Sequence, residues 1–228
     1  PSRAFSQGVI ASMPVWIAIA PFGLIFGAVA MATGLDIVQT MGMTIIVAAG
    51  ASQLAALQLM AEDAPALLAI VTGAVINLRM AMYSAALAAQ WPDAPLRLRA
   101  LAAFFLHDQS FALSIRRYVE RPDEPMPAKV AFFLGAGIST ILLWFGATFV
   151  GALFGAQVPA SWGLEFAVPV TFIAITAPLL RTLPHAVAAS LSALLAVLGA
   201  ALPGGLGLML ATAGGIAAGL ATERALAR

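Results

Sequence analysis

Asn77-Leu78-Arg79 sits at the centre of an apolar segment spanning residues 65–90, and it sets the chain's single Asn beside one of only eleven Lys and Arg. An arginine at bilayer depth costs about 2.5–3.5 kcal/mol unless it meets a partner or water. An amide and a guanidinium at that depth have two uses: they lock helices together, or they hold the carboxylate of a small polar solute. Residues two apart in a regular helix point to roughly opposite sides. Asn77 therefore shares a face with Ala81 and Ser84, and Arg79 shares one with Tyr83. Either only one of the two faces a solute, or the helix is irregular here.

Polar or helix-breaking residues recur at similar depth in the neighbouring segments. The first segment has Pro21-Phe22-Gly23 at its middle, the second has Gly50 within Ala48-Ala49-Gly50-Ala51-Ser52-Gln53, and the fourth has His107-Asp108. Pro21 removes a helical hydrogen bond and, with Gly23 beside it, is expected to kink or unwind its helix. Broken helices expose N–H groups that bind carboxylates and C=O groups that bind cations. The competing reading of the second segment is a packing kink, with Gln53 bonded to another helix. Asp108 is the natural ion-pair partner of Arg79, and its functional alternatives are proton carriage or ammonium binding. His107 is a candidate proton relay, or else a satisfied packing residue. The candidate substrate-binding residues are Pro21, Phe22, Gly23, Gly50, Ser52, Gln53, Asn77, Arg79 and Asp108; Asp108 and His107 are the candidates for proton coupling.

The elements that carry these residues must be membrane helices. Hydrophobic residues make up 62% of the 228 and charged residues 9%, whereas soluble domains run near 25% charged. We expect an all-α polytopic membrane protein with residues 1–228 forming a single transmembrane transporter domain. With no Cys, and two His far apart in sequence, no metal or cofactor site is expected. There is no GxSxG, HExxH or phosphate-binding loop, so neither an enzyme nor an ATP-driven pump is expected. The basic residues are scattered between apolar segments, which argues against nucleic acid as a partner.

Eight apolar windows suggest crossings at 9–33, 37–61, 65–90, 98–115, 128–156, 164–180, 185–202 and 206–222, with seven as the alternative count. The fourth is the weakest, and Pro178 and Pro184 admit a broken or re-entrant element around the sixth and seventh. Eight crossings with a cytoplasmic N-terminus put Arg3, Arg116, Arg117, Arg121, Lys129, Arg224 and Arg228 inside and leave Arg97 and Arg99 outside. That bias supports the orientation. Trp91 and Trp162 read as interfacial anchors. Gly23-xxx-Gly27, Gly151-xxx-Gly155 and Gly215-xxx-Gly219 read as close helix-packing faces. The first two also echo one another, as an internal repeat with the substrate site between its halves would.

At these residues the chain resembles the AzlC family, the larger subunit of bacterial branched-chain amino-acid exporters. The resemblance is carried by residues 21–27 (PFGLIFG), Ala49-Gly50-Ala51-Ser52-Gln53, Asn77-Leu78-Arg79 and His107-Asp108-Gln109-Ser110-Phe111, in that order. Gln109 and Met80 depart from the family's usual residues beside Asp108 and Arg79. The resemblance implies a multi-pass protein of the bacterial inner membrane exporting valine, leucine, isoleucine and methionine. It also implies a small hydrophobic partner of the AzlD type.

Overall fold

The computed structural model describes residues 2–155, 180–202 and 206–226. The described residues form helices α1 (Ser2–Ala32), α2 (Ile37–Val47), α3 (Gly50–Ala61), α4 (Ala66–Gln90), α5 (Leu96–Phe104), α6 (Asp108–Glu120), α7 (Met126–Gly155), α8 (Leu183–Leu198) and α9 (Leu206–Leu226), with no strand among them. The chain divides into two compact units, one made of Pro1–Ala55 with Thr72–Leu164 and the other of Ala56–Val71 with Glu165–Arg228. Expectations about Trp162, Pro178 and the window 164–180 lie outside the described residues.

The frame of the first unit is a parallel pair. Phe5 lies against Gly135, Ser12 Oγ is 2.9 Å from Ser139 Oγ, and Gly27 lies against Thr148 and Ala152, so α1 and α7 run side by side in the same direction. Glycines on both helices let the backbones touch: a Cβ at Gly8, Gly27, Gly135 or Gly151 would strike the facing main chain. The expected packing role of the small residues is what these contacts show. The two echoing glycine motifs thus meet along one seam. Pro14 and Pro21 lie inside an unbroken α1, so the expected break at Pro21 is absent.

The second and fourth segments depart most from expectation, because each is a helical hairpin. Thr44 and Gln53 side chains are hydrogen-bonded at 3.2 Å across nine residues, whereas nine residues of straight helix rise about 13.5 Å. The chain therefore turns back at Ala48-Ala49, which lie between α2 and α3. Beyond the turn, Ser52 meets Gly73 and Asn77 of α4. Residues 52 and 77 are nearly equidistant from the short 62–65 connection, so α3 leaves the turn antiparallel to α4.

The fourth segment behaves likewise from the opposite end. Phe105 and His107 reach Gly137 in α7, while Arg117 lies over Phe132 and Trp91 lies against Phe133. Hence α5 climbs along α7, turns at 105–107, and α6 returns to the end where it began. Arms of 9 and 13 residues are about 14 and 20 Å long, short of the 30 Å hydrocarbon core. Among the described residues, α1, α4 and α7 are long and apolar enough to cross a membrane. Exposed side chains of α4 such as Val75, Leu78 and Met82 are apolar, as contact with hydrocarbon requires.

These turns re-sort the charges. Lys129 Nζ donates to Gln90 Oε1 and to the Pro122 carbonyl, and Arg117 Nη2 donates to Gln7 Oε1 at 2.9 Å. The starts of α1, α5 and α7 and the ends of α4 and α6 thus share one end of the unit. Arg3, Arg97, Arg99, Arg116, Arg117, Arg121 and Lys129 all lie there, so the two arginines expected on the opposite side join the rest. Trp91, expected as an interfacial anchor, is only 3% exposed and packs in a core with Leu87, Ala102, Tyr118 and Phe133.

A bidentate pair closes this end: Arg117 Nε and Nη2 donate to Glu124 at 2.8 and 2.6 Å, with both side chains largely buried. The hydrogen-bonded guanidinium holds the Glu124 carboxyl below its ordinary range. A depressed carboxyl stabilises the fold above its unfolded value, about 4.3, and that stability is lost as pH falls through the folded value. Glu124→Gln is therefore expected to melt below wild type at pH 7. The gap should close below about pH 4, read as thermal midpoints in detergent. An unchanged gap at low pH would contradict the ion pair as its cause.

In the second unit α8 and α9 pack antiparallel. Gly199 lies against Gly207, Gly215 against Ser192, and Gly219 against Ala188. Ser192 Oγ donates to the Ala211 carbonyl at 3.0 Å. Helix α8 ends at Leu198, four residues before the end of the window 185–202 expected for that segment.

Candidate functional site

The two turns meet α4 at neighbouring positions. At the α2–α3 turn, Ser52 Oγ donates to the Ala49 carbonyl at 2.9 Å and accepts from Asn77 Nδ2 at 3.1 Å. Gln53 is fully buried, with Nε2 on Thr44 Oγ1. Gly50 lies directly beneath the rings of Phe22 and Trp144, which are 5.5 Å apart, with Phe26 stacked on Trp144 at 5.8 Å. The turn thus presents the first N–H groups of α3, the last C=O groups of α2 and an aromatic wall.

At the α5–α6 turn, Arg79 Nη2 is 3.0 Å from Asp108 Oδ2, and Tyr83 donates to Asp108 Oδ1 at 3.0 Å. Tyr83 is stacked on Phe111 at 4.1 Å. Both carboxylate oxygens are engaged, and the side chains of the pair stay 28% and 37% exposed. Asp108 is also the first residue of α6, where the helix dipole favours a carboxylate.

His107 caps this helix. Its Nδ1 accepts from Ser110 N at 3.3 Å, its own N–H donates to Ser110 Oγ at 3.1 Å, and Nε2 faces the Gly137 carbonyl at 3.3 Å. Nδ1 also lies 3.1 Å from Gln109 Oε1. Both ring nitrogens therefore hold the turn together.

The residues singled out from sequence fall into two groups on α4. Asn77 joins Gly50, Ser52 and Gln53 at the first turn, with Phe22 above Gly50; Arg79 joins Asp108 and His107 at the second. A regular α4 carries both, which resolves the opposed directions of Asn77 and Arg79 without an irregular helix. Pro21 is exposed, on neither turn, and Gly23 is buried against Ala147 and Trp144 as a packing residue. Tyr83, Thr44 and Trp144 were missed as site members. Tyr83 was legible as the residue sharing Arg79's face. Thr44 had no signal, because only a turned-back chain brings positions nine apart together.

Two comparisons bear on this arrangement. The profile of the family described as AzlC protein matches residues 14–158, which include both turns and α4. A protein of Archaeoglobus fulgidus described as an uncharacterized membrane protein is 30% identical over 184 residues, covering 79% of this chain and 78% of the relative. No solved structure matches the chain.

Proposed function

The chain belongs to the AzlC family of membrane proteins, and from that premise we propose that it is the larger subunit of a secondary exporter of branched-chain amino acids. The observation that carries the reading is a pair of half-membrane hairpins entering from opposite ends, whose turns meet one crossing helix at Asn77 and Arg79. Hairpins of opposed direction around a shared crossing are the inverted arrangement that builds midplane solute sites. In this reading the substrate carboxylate sits at the N-terminal amides of α3, and its aliphatic part lies on Phe22 and Trp144. Burying such a side chain stabilises binding by about 1.5–3 kcal/mol, and one methylene changes that by about 0.8 kcal/mol. Discrimination among valine, leucine, isoleucine and methionine should therefore be modest. The arginine-rich end faces the cytoplasm of a bacterial inner membrane under the positive-inside rule.

The proposed exporter works with a small hydrophobic subunit of the AzlD type. Labelled-leucine efflux from liposomes should be weak with this chain alone and several-fold faster once the partner is co-reconstituted. Full flux without a partner would end the two-subunit reading. An absence of leucine, valine and methionine flux in both preparations would end the exporter reading itself. Cells expressing both subunits should likewise resist growth inhibition by branched-chain dipeptides.

A further inference from the structure

The α2–α3 turn holds buried oxygens that nothing satisfies. Ser52 gives its only hydroxyl proton to the Ala49 carbonyl, so its oxygen can only accept from Asn77. That fixes the Asn77 amide with nitrogen toward Ser52 and leaves Oδ1 as its free end. Asn77 Oδ1 is buried without a partner, as is Gln53 Oε1 on a fully buried residue. Past Thr44, whose carbonyl accepts from Ala48 N, the last carbonyls of α2 have no following turn of that helix to donate to them, and they lie at the negative end of its dipole.

A buried acceptor without a donor is costly, and these atoms all call for positive charge or a donated proton. A carboxylate fits poorly against these two oxygens, which can only accept. A divalent ion fits poorly, because no cluster of three or more His, Cys, Asp or Glu exists among the described residues and hard divalent ions favour carboxylate oxygens.

We infer that the α2–α3 turn is a monovalent-cation site in which Asn77 Oδ1, Gln53 Oε1 and the terminal carbonyls of α2 replace the ion's water. This deepens the transport reading and rests on it for the site's purpose, though not for its chemistry. Two sources supply such a cation: a free alkali ion bound alongside the substrate, or the ammonium group of the substrate itself. In either case the α3 amides across the turn suit the accompanying carboxylate, so one break would hold both charges of a zwitterion or of an ion and its co-bound acid.

The test uses the full chain in lipid nanodiscs in choline buffer. One arm measures saturable binding of radioactive sodium without amino acid. The other measures binding of leucine, of leucinol (amine without carboxylate) and of 4-methylpentanoate (carboxylate without amine) in the absence of sodium. Saturable sodium binding assigns the site to an alkali ion. Binding of leucine and leucinol, with 4-methylpentanoate much weaker, assigns it to the ammonium group.

Gln53→Met removes one oxygen at similar volume and should weaken the observed cation about tenfold or more, as loss of a contact to charge does. Gln53→Glu keeps the shape, can accept from Thr44 and adds a negative charge, so it should tighten binding; it decides the matter if the Met variant misfolds. Failure of sodium, leucine and leucinol alike to bind would overturn the site, and so would affinities that neither variant changes, as expected if water alone fills the turn. Sodium binding without leucine flux would end the amino-acid reading and leave the cation site standing. Leucine flux with no cation dependence on Gln53 would do the reverse.

Discussion

Asp108→Asn and Arg79→Ala are each expected to abolish export, and Arg79→Ala is also expected to lower the thermal midpoint. The pair holds the α5–α6 turn to α4: Arg79 takes one carboxylate oxygen and Tyr83 the other. Removing one member of an ion pair costs under about 1 kcal/mol when the pair is exposed and about 3–5 kcal/mol when it is buried. These side chains are about one-third exposed, so a loss between those limits is expected. Losing Arg79 leaves a carboxylate whose remaining side-chain partner is Tyr83.

The decisive variant removes both charges. Apolar replacements can hold helices together as well as a buried pair does, so Arg79→Met/Asp108→Leu should recover stability. If the pair serves only as a clamp, transport should return with stability. If either residue handles substrate or protons, transport should stay lost in a well-folded protein, and that is the outcome we expect. Wild-type flux in the stable double variant would show the pair to be scaffold. Tyr83→Phe adds a finer reading, since it frees Asp108 Oδ1 while keeping the ring stacked on Phe111.

Arg79 and Asp108 were legible in the sequence because intramembrane charge is costly enough to demand a partner at matching depth. The hairpins were not. Residues 37–61 carry as much apolar length as a crossing, and hydropathy records length without direction. A chain that turns back at Ala48-Ala49 reads the same as one that continues. The clue lay in the charges: Arg97 and Arg99 were the two exceptions to the positive-inside count, and they cease to be exceptions once the α2–α3 turn lets α4 end where α1 began and α6 returns to that same end. Pro21 failed as a signal for a related reason. Proline is tolerated inside membrane helices when neighbours re-satisfy the backbone, and the seam with α7 keeps α1 continuous past it.

Gly50 and Gly27 are both crowded glycines, yet their replacement should have opposite consequences. A Cβ at Gly50 would come within 2.6 Å of Phe22 Cε1 and 2.8 Å of Trp144 Cη2, the outer edges of two side chains. Rings can swing, so Gly50→Leu is expected to fold, at an overpacking cost of about 1–3 kcal/mol. Its side chain would fill the space between the aromatic wall and the start of α3, where the substrate's aliphatic part is placed. Labelled-leucine binding should therefore fall by at least an order of magnitude while the protein still melts cooperatively. A Cβ at Gly27 would strike the Thr148 carbonyl and approach the Ala152 amide nitrogen at 2.6 Å, both main-chain atoms of α7. Backbone cannot swing aside, so Gly27→Leu must part α1 from α7 along their seam and should lower stability more than Gly50→Leu does. Thermal melts and leucine binding on the two variants separate a site glycine from a packing glycine. Unimpaired binding in Gly50→Leu would remove the α2–α3 turn from the substrate path. A Gly27→Leu protein as stable as wild type would show that the α1–α7 seam is not what frames it.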